Sequence, residues 1–406
     1  MVSGKVIWIV NHYAGSRVHG MEYRHYYLAQ QFRRMGLRPI ILCASFHHLL
    51  TKLPEKKAAE VDGVPYVWIK TCRYEKNDSR RVINMVEFSA RLALRSLREL
   101  PRPDVVIASS PHPFVAINGH RFARKYHAKF IFEVRDLWPL TILEVGGHSP
   151  RHPFVRAMAW AQRLGYERCD HTVSLLGGAQ DYMAAHGLDE GKFVYIPNGI
   201  DPQALQKNTE SLPAEHGQVI QDLKQQGKLI ILYSGSHGMV NALENVVEAA
   251  RLLTEESRVH FLLVGQGPEK ESLQKRAQQA DLRNVTFLPP VARSQMPALT
   301  QAADLGYLGL RKKDLFRYGV SPNKLFEYMS AGLPILFAID TIHDEVAEAK
   351  CGFSIPPEAP QALADTLCRI AQMPKDELRS MGERARQYVQ RTHTYEVLAQ
   401  QYACLF

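Results

Sequence analysis

Short, largely apolar runs alternate along this chain with longer segments whose apolar residues recur every three or four positions. The runs at 5–10, 39–44, 64–70, 104–108, 129–134 and 171–175 predict strands buried on both faces, as in a parallel sheet. The segments at 21–34, 79–100 and 178–186 predict helices; in the first, Tyr26, Leu28, Ala29 and Phe32 supply the apolar side. A second series follows, with strands predicted at 229–233, 259–264, 285–288, 303–308 and 335–339 and helices at 242–253, 271–280 and within 321–334. Alternation of this kind predicts an α/β chain with two doubly wound halves. The halves meet near residue 200, where Ile196-Pro197-Asn198-Gly199-Ile200-Asp201-Pro202 contains two turn dipeptides. We therefore expect domains at 1–200 and 201–384. Residues 203–228 read as too polar for a core, and a last helix is expected at about 378–401.

Composition narrows the partners. A chain of 406 residues, 46% apolar and 22% charged, has the balance of a globular protein with more than one core. No apolar run reaches the roughly 18–20 residues of a membrane span, and the first strand begins almost at once, so the expected location is cytoplasmic. Six widely spaced cysteines with no CxxC pair are expected to be reduced. Seventeen histidines form no HExxH-like pattern, so no metal site is expected. The formal charge of +9 is uneven: residues 1–200 hold 28 Lys and Arg against 17 Asp and Glu, a net +11, and the rest hold 22 against 24, a net −2. A basic first half suits an anionic partner. Arg91, Arg95, Arg98 and Arg102 are spaced four, three and four, one face of a helix if 79–100 continues. That face reads either as a solvated stripe or as a membrane-surface contact. Nucleic acid is disfavoured, because no aromatic interleaving accompanies the charges.

The stretch Ser321-Pro322-Asn323-Lys324-Leu325-Phe326-Glu327-Tyr328-Met329-Ser330-Ala331-Gly332-Leu333-Pro334 carries the most chemistry. Ser321 and Pro322 predict a capped helix start. Leu325, Tyr328 and Met329 recur at helical spacing, and Gly332 and Pro334 stop the helix. Lys324 and Glu327 fall in its first two turns. A helix N-terminus with a lysine attracts phosphate, and a carboxylate beside it can accept two ribose hydroxyls. Together they suit a nucleotide sugar; the plain alternative is a surface Glu–Lys pair. Ser110 and His112 lie in one loop that follows a predicted strand, and Arg135 and Asp136 in another, where open α/β sheets bind ligands. Arg135 is expected to contact a phosphate or hydroxyl and Asp136 to orient it, with a structural salt bridge as the alternative. The glycines after the first strand do not form GxGxxG, which disfavours a dinucleotide enzyme.

The 321–334 stretch, taken with Ser234-Gly235-Ser236-His237-Gly238 and Gly265-Gln266-Gly267-Pro268 at these separations, resembles the retaining glycosyltransferases of family 4. That family has the GT-B fold, two Rossmann-like domains facing across a cleft. The resemblance covers nearly the whole chain, more strongly over 229–340 than over 1–200. Its members usually carry two glutamates; Glu327 matches the second, and Gly319 stands where the first would be. The variant Tyr318-Gly319-Val320-Ser321-Pro322-Asn323-Lys324 is similar to a bacterial O-antigen and capsule branch, the N-acetylfucosamine transferases. The resemblance implies metal-independent transfer from a UDP-linked, N-acetylated deoxy-hexosamine to a polyprenyl-diphosphate-linked glycan, with no further cofactor. The enzyme would work at the anionic inner face of the plasma membrane. Lys324, Glu327, Arg135 and Asp136 would form the catalytic set. Ser234, Gly235, Ser236, Gly238, Ser321, Pro322 and Asn323 would hold the donor with Lys324 and Glu327. Gly265, Gly267, Pro268, Phe287 and Leu288 would frame the base, and Gly15, Gly20, Ser110 and His112 would lie on the acceptor side. A last helix, about 385–406, would pack back on the first domain. The departing phosphate would take the acceptor proton, so no dedicated base is assigned to His12, His112 or His237. Two other classes stay open: a GT-B nucleotide-sugar epimerase and a non-enzymatic membrane-surface scaffold.

Overall fold

Residues 4–20, 22–75, 78–202 and 210–406 are described by a computed structural model; Met21, expected to open the first helix, and the start of the polar 203–228 stretch lie outside them. The chain divides into two compact units. One holds the residues up to Gly199 with Tyr318–Ser321 and Tyr395–Phe406, and the other holds Ile200–Arg317 with Pro322–Thr394.

The sheet of the first unit contains β1 (Val6–Asn11), β2 (Arg38–Ala44), β3 (Ala58–Val61), β4 (Val64–Ile69), β5 (Val105–Ser109), β6 (Lys129–Val134), β7 (His171–Ser174) and β8 (Phe193–Tyr195). Their order is β3-β4-β2-β1-β5-β6-β7-β8, parallel except for the β3–β4 hairpin. The second sheet contains β9 (Leu229–Ser234), β10 (Val259–Val264), β11 (Val285–Leu288), β12 (Leu305–Gly309), β13 (Ile335–Ala338) and β14 (Gly352–Ser354), ordered β11-β10-β9-β12-β13-β14 and wholly parallel. Their central strands are buried almost end to end and mostly apolar because helices cover both faces. In the second unit, Ile231, Tyr233, Phe261 and Leu263 pack on Val246 and Ala250 of the helix Glu244–Leu252 and on Leu363 and Leu367 of the helix Pro360–Ile370. Strand order reverses between β1 and β5 and between β9 and β12, and ligands bind beyond the strand ends at such switch points.

Several expectations need correction. The helix expected to run to residue 100 is Ser79–Leu94; Arg95 is its cap in extended conformation, so only Arg91 of the four arginines is helical and they share no helix face. The segment 203–228 is not coreless: the helix Ala214–Gln225 buries His216, Ile220 and Leu223. The last helix is two, Lys375–Thr392 and Tyr395–Ala403, and the unit boundary falls at Thr394 instead of 384. Tyr395–Ala403 belongs to the first unit, where Tyr395 stacks on Tyr27 (5.0 Å) and Tyr402 packs edge-on against Phe32 (6.0 Å). Among the described residues, no helix is long and apolar enough to cross a membrane.

Candidate active site

In the second unit the helix Asn323–Ala331 follows Pro322, which is its N-cap and contributes no side-chain cap. Ser321 does not cap it: the Ser321 hydroxyl accepts the Asn198 N–H (2.8 Å) and its carbonyl accepts Asn198 Nδ2 (2.7 Å), so Ser321 is held in the first unit. The helix ends as the sequence predicts, at Gly332 in the left-handed region.

Lys324 sits in the first turn, with Nζ 4.3 Å from the centroid of the Tyr233 ring and donating to the Tyr233 hydroxyl at 3.0 Å. Burial pulls its pKa down to about 8, against an opposing pull from Glu327. One turn on, the half-buried Glu327 is pushed up by burial and drawn back by Arg293 and Lys324, with Arg293 Nη2 at 4.0 Å. The same helix is anchored by Tyr328, whose hydroxyl accepts the Ser234 N–H (2.9 Å) and lies 3.1 Å from Ser234 Oγ. Ser234 ends β9, so this bond fixes Lys324 beside the loop that follows. Gly235 in that loop has φ +141, and a Cβ there would lie 2.7 Å from Lys324 Nζ. A side chain at Gly235 would displace the ammonium group.

The loops 234–238 and 265–268 are locked together. Gly235 N–H donates to Val264 O (2.9 Å), His237 N–H to Gln266 O (2.9 Å) and Glu269 N–H to His237 O (3.0 Å). Lys270 Nζ donates to Gly265 O (2.8 Å) and Leu288 O (2.9 Å), which ties in the end of β11 beside Phe287. His237 is buried, and neither ring nitrogen has a partner among the described residues; burial first, then Lys270 and Lys324, holds it down to about 4. The structure thus brings Ser234, Gly235, Ser236, Gly238, Gly265, Gly267, Pro268, Phe287, Leu288, Asn323, Lys324 and Glu327 onto one unit. Tyr233 and Lys270 were missed. Tyr233 reads as one more apolar strand residue, and Lys270 as an ordinary first-turn lysine.

In the first unit, Arg135 pairs with Glu22 and not with Asp136: Nη1 and Nη2 each lie 2.8 Å from a Glu22 oxygen. Arg135 therefore stays charged despite burial, and Glu22 is held low by it. Asp136 is exposed, so the expected orienting role passes to Glu22. Gly15 N–H donates to Glu22 O (2.9 Å), and the Ser110 hydroxyl accepts the Arg135 N–H (3.0 Å). Gly20 bridges to Ser16 and Leu50. His112 Nε2 is 2.8 Å from His12 Nδ1 at the ends of β5 and β1; burial holds His112 down to about 3, with Arg81 adding. Glu133, at the end of β6, is a buried hub and not a ligand group: it accepts from Arg24 Nε (3.0 Å), Ser109 Oγ (2.6 Å) and the Tyr402 hydroxyl, and lies 3.0 Å from His25 Nε2.

Gly319 is more than an absent glutamate. Its φ is +118, and a Cβ would lie 3.0 Å from Gly177 N and 3.2 Å from Leu176 Cα. The positive φ and this crowding disfavour any side chain there.

Comparison with known proteins covers both units. The family described as "Glycosyl transferases group 1" matches residues 218–388, and "Glycosyl transferase 4-like domain" matches 19–199. The "Putative colanic acid biosynthesis glycosyl transferase WcaI" of Escherichia coli K12 is 27% identical over 308 residues, 74% of this chain and 73% of that protein. Among solved structures, sucrose-phosphate synthase from Thermosynechococcus elongatus superposes with a TM-score of 0.73 at 14% identity, covering 99% of this chain and 98% of that one. Anabaena HepE, solved with UDP, gives 0.66 at 15% identity, with 98% of each chain covered.

Proposed function

We propose, from the premise that the chain belongs to the GT4 glycosyltransferases of GT-B fold, that it transfers a sugar from a UDP-linked donor onto a lipid-linked glycan in bacterial surface-polysaccharide synthesis. The name of the relative WcaI supports the polysaccharide setting, and the UDP bound by the structural neighbour HepE supports the nucleotide. The observation that carries the reading is Lys324, held by Tyr233 against the 234–238 loop at the start of a helix, with Glu327 one turn away.

In this reaction the bond between the anomeric carbon and the diphosphate oxygen breaks. The acceptor hydroxyl oxygen forms the new bond on the same face, and its proton passes to the departing phosphate. UDP and the glycoside are the products, with retained configuration. Charge developing on the diphosphate is met by the Lys324 ammonium and by backbone N–H groups of the helix start and the 234–238 loop. Glu327 accepts the ribose hydroxyls. The loop ends at 265–268 and 287–288 receive the uracil. On the acceptor side, Arg135 is oriented by Glu22 and stands near Ser110. The resident side chains carry this scheme without a metal.

The donor sugar we propose is an N-acetylated 6-deoxy hexosamine, and the acceptor a polyprenyl-diphosphate-linked sugar at the cytoplasmic membrane face. A thermal-shift screen of nucleoside diphosphates, followed by donor sugars in a mass-resolved transfer assay, tests the reading. Stabilisation by UDP and a product heavier by one sugar are expected. Epimerised donor without transfer would favour the epimerase, and no nucleotide response would favour the scaffold.

A further inference from the structure

The structure redistributes the cations expected in a helical stripe. Lys56 and Lys57, leading into β3, and Lys70, just past β4, join Arg91 and Arg95 around a first-unit cavity of about 680 Å³. Trp68, Ile69 and Leu94 supply its apolar lining, and Glu55 is its sole acidic group. Arg95 is fastened in the wall by donation from Nη1 to Trp68 O (3.0 Å), and Arg91 is held by Glu87 (2.7 Å). Lys56, Lys57 and Lys70 are exposed. Leu94 continues outward as an apolar row on the Ser79–Leu94 helix: Ile83, Val86, Ala90 and Leu94 fall at i, i+3, i+7 and i+11, one helical face. Ile83 is 55%, Val86 48% and Leu94 85% exposed. Exposed apolar side chains beside a cationic hollow make an amphipathic surface that burial in water-facing protein does not explain.

We infer that this cavity receives the phosphate headgroup of an anionic membrane lipid, while Ile83, Val86 and Leu94 enter the acyl boundary. Charge complementarity selects the occupant. With Arg91 paired to Glu87, Lys56, Lys57, Lys70 and Arg95 still outnumber Glu55 and disfavour a cationic partner, and the apolar row beside them disfavours a fully hydrated soluble phosphate. The inference deepens the proposed function and rests on it only for the lipid nature of the acceptor.

The test is co-sedimentation of the full chain with vesicles of phosphatidylcholine, with and without phosphatidylglycerol. We expect binding to the anionic vesicles alone. Each basic residue near such a surface is worth a factor of about five, so joint replacement Lys56→Gln, Lys57→Gln, Lys70→Gln should lower partitioning by about a hundredfold. Leu94→Ser should lower it as well, without altering charge. Arg98→Gln with Arg102→Gln, outside the cavity, should have a clearly smaller effect per charge removed. An equal loss per charge from that pair, or an unchanged Leu94→Ser, would overturn the inference. So would binding of glycerol 1-phosphate by a parent that ignores vesicles. Thermal shift with UDP is read on every variant: an unaltered UDP response with lost vesicle binding supports the lipid site, and a parent that binds vesicles but not UDP would remove the donor reading while leaving this one standing.

Discussion

Lys324 should make donor binding depend on pH above neutrality. Burial holds its pKa down to about 8 in the free protein, against about 10.4 in water. A bound diphosphate, with a second pKa of about 6, is almost fully charged above about pH 7, and its negative charge raises the lysine pKa. The complex therefore binds more protons than the free protein across the interval between the two pKa values. The sign follows: affinity is level below about pH 8 and falls above it, approaching about tenfold per pH unit until the bound-state pKa is reached. At neutral pH, Lys324→Met removes a charge-assisted hydrogen bond worth about 1.5–3 kcal/mol, a ten- to hundredfold loss. Tyr233→Phe keeps the ring and removes one partner of the ammonium (3.0 Å), so its loss should be about fivefold. Calorimetric titration with UDP between about pH 7 and 9 reads both quantities, and repetition in buffers of different ionisation heat counts the proton taken up. Parent and Lys324→Met profiles that run parallel across this range would rule out Lys324 as the group whose titration is linked to UDP binding.

Other groups give separate tests. Glu327→Gln should weaken UDP by about ten- to hundredfold, because the amide loses the charge and replaces one of the two oxygens that accept the ribose hydroxyls with a donor, measured by the same titration. Gly319→Glu should lower the melting temperature by an amount equivalent to about 1–3 kcal/mol, because of its φ of +118 and the crowding at Gly177; a stable variant with altered donor preference would contradict this. His47 is held down to about 3 by burial first and His48 next, with Glu22 opposing, so the unfolded chain takes up its proton first on acidification. Its contribution to stability is complete above about pH 6.5 and is lost below at up to about 1.4 kcal/mol per pH unit. His47→Leu should therefore show a shallower acid limb in denaturant titrations run from pH 7 to 4.

The fold was legible because parallel strands buried on both faces leave continuous apolar runs; β1, β2, β9 and β10 stand where those runs predict them. The strands β3, β8 and β14 were not: apart from Val61 their positions are exposed or half-buried, so no buried apolar run marks them. The donor-side residues were legible as a motif, but not their supports. Tyr233 reaches Lys324 and Glu22 reaches Arg135 across 91 and 113 positions, a tertiary relation no local spacing encodes. The arginine stripe failed for a local reason. Spacing kept its helical period past Leu94, while the backbone turned extended at Arg95 and bonded its guanidinium to Trp68 O. Ser321 misled in the same manner, because a serine before Pro322 satisfies the capping rule while its hydroxyl serves Asn198.

The most direct test of sugar transfer is the anomeric configuration of the product formed from a UDP-acetamido sugar and a polyprenyl-diphosphate-linked acceptor. Mass spectrometry would show the added sugar and proton NMR its linkage. Retention requires an α-glycoside from an α-linked UDP donor, formed by the parent and reduced at least about tenfold in Lys324→Met. A β-glycoside, or efficient transfer from UDP-glucose or GDP-mannose with none from any UDP-acetamido sugar, would contradict the proposed reaction.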